Sequence, residues 1–299
     1  VADKHHFKFV IFVDATYLLR MQQMKGQFKE VDRQYDLVSN HVKSLAEKGH
    51  DIELHFHPQW LYSNWDEDAK QWKMDRDHYK LSDLSIEEAK SSLRAAKNLL
   101  DEIVGYETKA FRAGGFCLDT FNEYKETFQE LRLVIDSSVA RYTCVRTPVH
   151  SYDYRQIPQE QIYRFSNSIK KKDDNGQFLE MSITGVHWNV LTFWLNIRSK
   201  LEKRKPTLEY KDGKGIVDKK QTLAGKIVEV LTRNAYLASI DGLWSNAIED
   251  YYKYVLKKGW SEMILIGHPK NATDLSIANL EWFFENYQEL KVETFKNLK

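Results

Sequence analysis

Two histidines one residue apart, His55 and His57, stand where the alternating run Asp51-Ile52-Glu53-Leu54-His55-Phe56 meets Pro58. Because Ile52, Leu54 and Phe56 alternate with Asp51, Glu53, His55 and His57, a strand here presents both imidazoles on one face. Pro58, with no N–H to give to a ladder, ends it. Imidazoles at a strand end suit a divalent metal, although an H-x-H pair on a half-exposed strand is also read as a solvated face. A second histidine, His268, follows the apolar run Met263-Ile264-Leu265-Ile266 and is again followed by proline. Two such histidines point to one shared site. Asp14, Arg112 and Asp136 also follow short apolar runs, and histidines, carboxylates and an arginine together suit metal-assisted hydrolysis. In that chemistry a cation polarises a carbonyl and lowers the pKa of bound water to about 7.

The chain must be large enough to place these groups, and 299 residues with 42% hydrophobic and 13% aromatic side chains provide an ample core. The 44 Lys plus Arg against 43 Asp plus Glu leave a formal charge of +1, so nothing here is built to wrap a polyanion, and nucleic acid is not expected as a partner. Cys117 and Cys144 are the only cysteines. They make no disulfide framework and no cysteine zinc site, one pairing of the two stays open, and they fit a reducing compartment, with the cytoplasm the expected location. No run reaches the length of a membrane span, and the first residues lack the charged and apolar regions of a signal peptide. The start, Val1-Ala2-Asp3-Lys4, has no initiating Met, which leaves open a lost signal or anchor.

The elements that would position the site alternate. Residues 7–13 read as a strand covered on both faces, ending at Asp14. Leu37, Val38, Val42, Leu45 and Ala46 have helical spacing and stop at Gly49, ahead of the His55 strand. Ser85-Ile86-Glu87-Glu88 is a capping box that opens a helix to about Ile103. A strand over residues 108–111, the turn Arg112-Ala113-Gly114-Gly115, a helix over about 118–131 and a strand over 133–135 follow. Such βα alternation predicts a parallel sheet or barrel with its functional groups at the carboxyl ends of the strands. Residues 137–183 break the rhythm. There, Asn175-Gly176 predicts a hairpin tip with positive φ angles, and the Lys170-Lys171-Lys172 run reads as solvated. A tryptophan-rich helix over 186–201, a polar loop over 202–220, helices over about 221–234 and 242–257, a strand before His268 and a helix over 274–287 complete one expected domain, 1–299, with hairpin and helical insertions at about 137–220.

In this order the motifs resemble the NodB-type polysaccharide deacetylases of carbohydrate esterase family four, especially a branch among bacterial surface-polysaccharide gene products. The motifs are Phe-Val-Ile-Phe-Val-Asp14, Gly-His-Asp-Ile-Glu-Leu-His55-Phe-His57-Pro, Phe-Arg112-Ala-Gly-Gly-Phe, Ile-Asp136-Ser-Ser-Val and Leu-Ile-Gly-His268-Pro-Lys. The resemblance spans residues 7–270 and implies an α/β fold, an irregular (β/α) barrel with a β-hairpin insertion. It also implies hydrolytic removal of acetyl groups from N-acetylated sugars of a surface polysaccharide or its precursor, with a divalent metal, usually zinc.

Residue by residue, the resemblance makes His55 the first metal histidine. The family's second histidine, four positions on, is Gln59, which leaves His57 as the candidate replacement ligand and assigns Gln59 and Trp60 to substrate binding. Arg112 matches the arginine that orients the catalytic aspartate, Asp136 the acidic fourth motif, and His268 the general acid. The family's first strand, with its two aspartates, has no counterpart ahead of Val1, where residues 1–8 resemble the end of the connecting helix. Asp14 lies one strand later, either as a metal ligand or as a hydrogen-bonding group at the rim. Trp60, Trp65 and Trp72 either stack on sugar rings or cover core, and His5, His6, His150 and His187 read as surface or core histidines. Gln59 and the missing first motif also fit a non-catalytic carbohydrate-binding relative or an inactive fragment. The sequence leaves the oligomeric state open.

Overall fold

Val10–Asp14 (β1) and Asp51–Phe56 (β2) pair in parallel, from Val10 opposite Asp51 to Asp14 opposite His55. The computed structural model describes residues 1–188 and 235–298. Between the two strands the chain makes two helices, Ala15–Gln23 (α1) and Lys29–Glu47 (α2). The first of these has no counterpart in the sequence reading, and the second begins earlier than its apolar spacing suggests. Phe9 N–H donates to His50 Nδ1 at 3.1 Å, which fastens the entry to β2. Residues 2–6 form a hydrogen-bonded turn, not the expected helix end.

After β2 come a single turn of helix, Gln59–Tyr62 (α3), and a small antiparallel pair, Asn64–Asp66 (β3) with Gln71–Lys73 (β4). Ile86–Val104 (α4) opens where expected, with Ser85 Oγ accepting from Glu88 N–H, a cap worth about 0.5–2 kcal/mol, and closes at Gly105 in the left-handed region. Ala110–Ala113 (β5), Phe121–Glu130 (α5) and Ile135–Asp136 (β6) continue the alternation, so Arg112 lies within a strand and not in a turn. Cys144–Arg146 (β7) and Ser151–Asp153 (β8) form a second antiparallel pair, and Ile162–Phe165 (β9) pairs antiparallel with Phe178–Met181 (β10). Neither Asn175 nor Gly176 has a positive φ. Gly176 is required for a different reason, because a Cβ there would sit 2.4 Å from the Phe165 carbonyl oxygen.

The main sheet runs β1-β2-β5-β6-β10-β9, parallel throughout except for β9. The protein is therefore mixed α/β around a mostly parallel sheet. The closed barrel expected from the sequence is not seen among the described residues, where β1 and β9 are the sheet's edges. Single parallel bridges, Ala140 to Ile183 and Ser239 to Ile266, carry the pattern a little further. Residues 186–188 do not start a helix. Gly185–His187 (β11) pairs antiparallel with Ala235–Leu237 (β12), and the rest of that expected helix, the loop over 202–220 and the helix over 221–234 lie outside the described residues. A 3-10 turn, Gly242–Ala247, leads into Ile248–Lys258 (α6), the strand expected before His268 is reduced to the Ile266 bridge, and Asp274–Asn286 (α7) follows. No helix among the described residues is long and apolar enough to cross a membrane.

Alternation along β2 sends Ile52, Leu54 and Phe56 into the apolar core with α1, α2, α4 and α5. Asp51, Glu53 and His55 go to the other face. Lys296 N–H donates to Asp51 Oδ2 at 3.0 Å, its ammonium lies 3.6 Å from the centre of the Tyr106 ring, and Phe295 packs on Phe12. Glu53 is buried and accepts from Lys109 and Ala110 N–H. Burial pushes its carboxyl up to about 8, Asp51 adds to the rise, and the two backbone donors oppose it. With its pKa raised above the unfolded value, Glu53 contributes stability that is full below about 4.5 and lost as pH rises through about 8. Thermal melts should show that loss in wild type, and Glu53→Gln, which keeps an acceptor without a charge, should flatten it. An unchanged slope in the variant would contradict the assignment.

Candidate functional site

Register places the site. Asp14 lies opposite His55 and His55 opposite Arg112, so three adjacent strand ends bring these residues to one level. His55 Nδ1–H donates to the Arg112 carbonyl at 2.7 Å, which orients the ring and leaves Nε2 as its lone-pair nitrogen. Burial, reinforced by His57, lowers its pKa to about 3, so His55 is neutral. His57, one step beyond β2, donates from Nδ1 to Asp14 Oδ2 at 2.9 Å, with its ring centre 4.4 Å from that of His55.

Asp14 also accepts from Trp60 Nε1 at 2.9 Å and from Thr16 Oγ1 at 2.6 Å. Burial alone would raise its pKa, but the charge and hydrogen bond of His57, with His55 and Thr16, outweigh that and hold it below the ordinary value. Thr16 is fully buried, and its Oγ1 also accepts from His57 N–H at 3.1 Å, so one hydroxyl ties the end of β1 to the end of β2. The sequence reading passed over Thr16, although a Thr two residues beyond a strand-end Asp is a recognisable local hydrogen-bonding pattern.

Gly114 is what allows His57 its place. A Cβ at 114 would fall 2.5 Å from His57 Cδ2 and 2.7 Å from the Phe56 carbonyl oxygen. Tyr79 stands 6.3 Å from His57 and 5.3 Å from His150, ring centre to ring centre. His150, which the sequence offered no reason to single out, donates from Nε2 to the Gly115 carbonyl at 2.6 Å.

The other expected site residues make contacts of their own. Trp60 packs on Tyr17 and Trp72 and spends its N–H on Asp14. Trp65 is buried against Trp72. Gln59 is buried, and its Oε1 has no hydrogen-bond partner among the described residues. Arg112 does not reach Asp14. Its guanidinium donates to the Ser137 carbonyl and Oγ and lies 4.1 Å from the centre of the Phe12 ring, and burial lowers its pKa to about 10 against the opposing charges of Asp136 and Glu180.

Asp136 is buried, accepts from Ser138 Oγ and N–H, and lies in register with Glu180. Burial raises both carboxyls, and Glu180, facing Asp136, is held protonated well above the usual range. His268 has its own carboxylate. Its Nδ1–H donates to Asp241 Oδ2 at 2.7 Å and its backbone N–H to Oδ1 at 2.6 Å. Asp241 was missed in the sequence, where its signal is another carboxylate after a short apolar run, Ala235 to Ile240. No hydrogen bond joins His268 to Asp14, His55 or His57 among the described residues.

One carboxylate and two imidazoles are donor types that suit a divalent cation such as zinc. Among the described residues, however, no three His, Cys, Asp or Glu side chains are gathered as a metal centre requires; Asp14 is bonded to His57 instead. Cys117 and Cys144 are free thiols. A cavity of about 470 Å³ between the N-terminal turn and α7 is lined by His5, His6, Tyr287 and Lys291 among others and includes none of the site residues.

No protein-family model matches the chain, and no curated protein sequence matches it. Among solved structures, it is similar to a protein from Mycobacterium smegmatis described as a polysaccharide deacetylase. The match has 12% identity and a TM-score of 0.45, and it covers 100% of this chain and 78% of that one.

The close approach at Gly114 is testable without any ligand. Gly114→Ala should cost about 1–3 kcal/mol in urea unfolding, the usual range for overpacking, and should shift the His57 ring resonances. Wild-type stability together with unchanged resonances would show that the contact is not tight.

Proposed function

We propose that the protein is a metal-dependent hydrolase that removes acetyl groups from N-acetylated sugars of a surface polysaccharide or its precursor, on a scaffold of the irregular (β/α) barrel type. The observation that carries this reading is the convergence of Asp14, His55 and His57 at adjacent parallel strand ends, with the carboxylate held anionic and one imidazole held neutral. Asp14, His55 and His57 would hold the cation once His57 released Asp14. A bound divalent cation, most simply zinc, supplies Lewis acidity toward a carbonyl oxygen and toward water.

The chain's own groups account for the rest. His55, fixed by the Arg112 carbonyl, keeps its Nε2 lone pair available. Thr16 and Trp60 hold the Asp14 carboxylate in one orientation. His268, with Nδ1–H on Asp241, has Nε2 as the position from which a proton passes to the departing amine, the role of a general acid. Arg112, bound to Ser137, supports the end of β5 from which His55 is oriented.

A second reading, a carbohydrate-binding protein without catalysis, is favoured by one observation, the absence of a gathered metal centre among the described residues. Elemental analysis and acetate release from N-acetylated oligosaccharides separate the two. The hydrolase reading expects a stoichiometric cation in wild type that is lost in His55→Ala, with acetate release abolished by chelation. His268→Ala should keep the metal and lower kcat about 100- to 10,000-fold. If neither protein holds metal and no acetate is released, the binding reading stands.

A further inference from the structure

We infer that the segment Thr294–Asn297 is a strap, tied across the amino-terminal end of β2 by the buried carboxyl pair Asp51 and Glu53, and that it lifts when the pair loses its proton. The inference goes beyond the proposed function and does not depend on it.

Asp51 is fully buried at the start of β2, and it is the strap that reaches its carboxylate. Lys296 N–H donates to Oδ2 at 3.0 Å, and the Lys296 ammonium stands 3.6 Å from Oδ1, an oxygen that accepts no hydrogen bond among the described residues. The same ammonium donates to the His50 carbonyl at 3.3 Å and lies over the Tyr106 ring, whose hydroxyl accepts from Ile52 N–H at 2.7 Å. Phe295 packs on Phe12, the residue opposite Glu53 in the register of β1 and β2. Thr294 is buried, and its carbonyl accepts from Asn297 N–H at 3.1 Å, which curls the strap into one 3-10 turn. The Lys296 side chain is 38% exposed against 0% for Asp51, so water reaches one partner of the ion pair and not the other. Lifting the strap is the short route by which water gets to the carboxyls.

With the strap down, the pair is one carboxylate beside one protonated carboxyl, facing one ammonium. Burial holds the Glu53 proton up to about pH 8, with the charge of Asp51 adding to the rise. Above that pH two negative charges share a dry site with a single cation, which is costly unless water is admitted. The other groups around the pair do not relieve it. Lys109 and Ala110 contribute backbone N–H groups to Glu53. Neither ring beside the pair titrates in the same range, since burial, with Lys8 adding, lowers His50 below its ordinary value, and burial raises Tyr106 in spite of Lys296 beside it. The sign follows from linkage. Glu53 binds its proton more tightly with the strap closed than in water, so the closed state is favoured at low pH and loses ground as pH rises through about 8.

The test is amide hydrogen exchange on the whole chain, read by mass spectrometry from about pH 6 to about pH 10, with each rate taken relative to that of an unstructured chain at the same pH. In wild type, protection of the Lys296, Asn297 and Leu298 amides should be level at low pH and fall by up to about tenfold per pH unit above about 8, while α4 keeps its protection. Glu53→Gln, which cannot ionise, should keep the strap's protection level throughout. Phe295→Ala leaves the acid pair intact, so it should lower protection at every pH and still show the fall. Circular dichroism confirms that each variant is folded. Strap protection that does not change with pH in wild type, a fall that persists in folded Glu53→Gln, or a loss that α4 shares, which would make the opening global, overturns the inference.

Discussion

The site depends on the parallel register of β1, β2 and β5. Because Asp14, His55 and Arg112 are opposite one another, the three strands end level, and everything that follows each strand starts from the same height. A one-residue slip would turn Asp14 and His55 into the apolar core and bring Val13 and Leu54 to the site. Two features oppose such a slip. The alternating apolar residues of β2 are buried under α1, α2 and α4, and Thr16 Oγ1 bonds both Asp14 and His57 across the strand ends.

The same sheet buries an unusual number of ionisable groups, and each is neutralised or satisfied locally. Glu53 is protonated over a wide pH range and accepts two backbone N–H groups. Glu180 holds a proton beside Asp136, and Arg112 spreads its charge over a carbonyl, a hydroxyl and the face of Phe12. Burying such groups without partners would cost several kcal/mol each. Their presence restricts the sheet to arrangements in which those partners are in place, and these are also the arrangements that bring the strand ends together.

Much of this was legible because it is local. Period-two alternation found β2, the Ser85 cap found α4, and proline and glycine marked the ends of several elements. Strand-end chemistry singled out Asp14, His55 and His57, and the structure places the three side by side, although the sequence had given Asp14 no certain place. What it could not supply were pairings between distant segments. Asp241 meets His268, His150 meets Gly115, and Asp136 meets Glu180 through topology, and no periodicity encodes those meetings. Asn175-Gly176 misled because the dipeptide's usual use is a positive φ, whereas here the glycine serves a close contact with Phe165. Trp60 gives its indole N–H to Asp14, a pairing that no local pattern announces.

Lys296 and Asp51 are 245 residues apart in sequence, yet the backbone N–H of one donates to the carboxylate of the other. Phe295 likewise lies against Phe12, in the first strand of the sheet. Contacts this distant are slow to form and give the chain a high contact order. During synthesis, β1 and β2 leave the ribosome long before these partners exist, so the amino-terminal face of the sheet waits, incomplete, until Phe295 and Lys296 emerge. Chaperone contact or transient self-association in that interval would fall on this face and not on the end that carries the imidazoles.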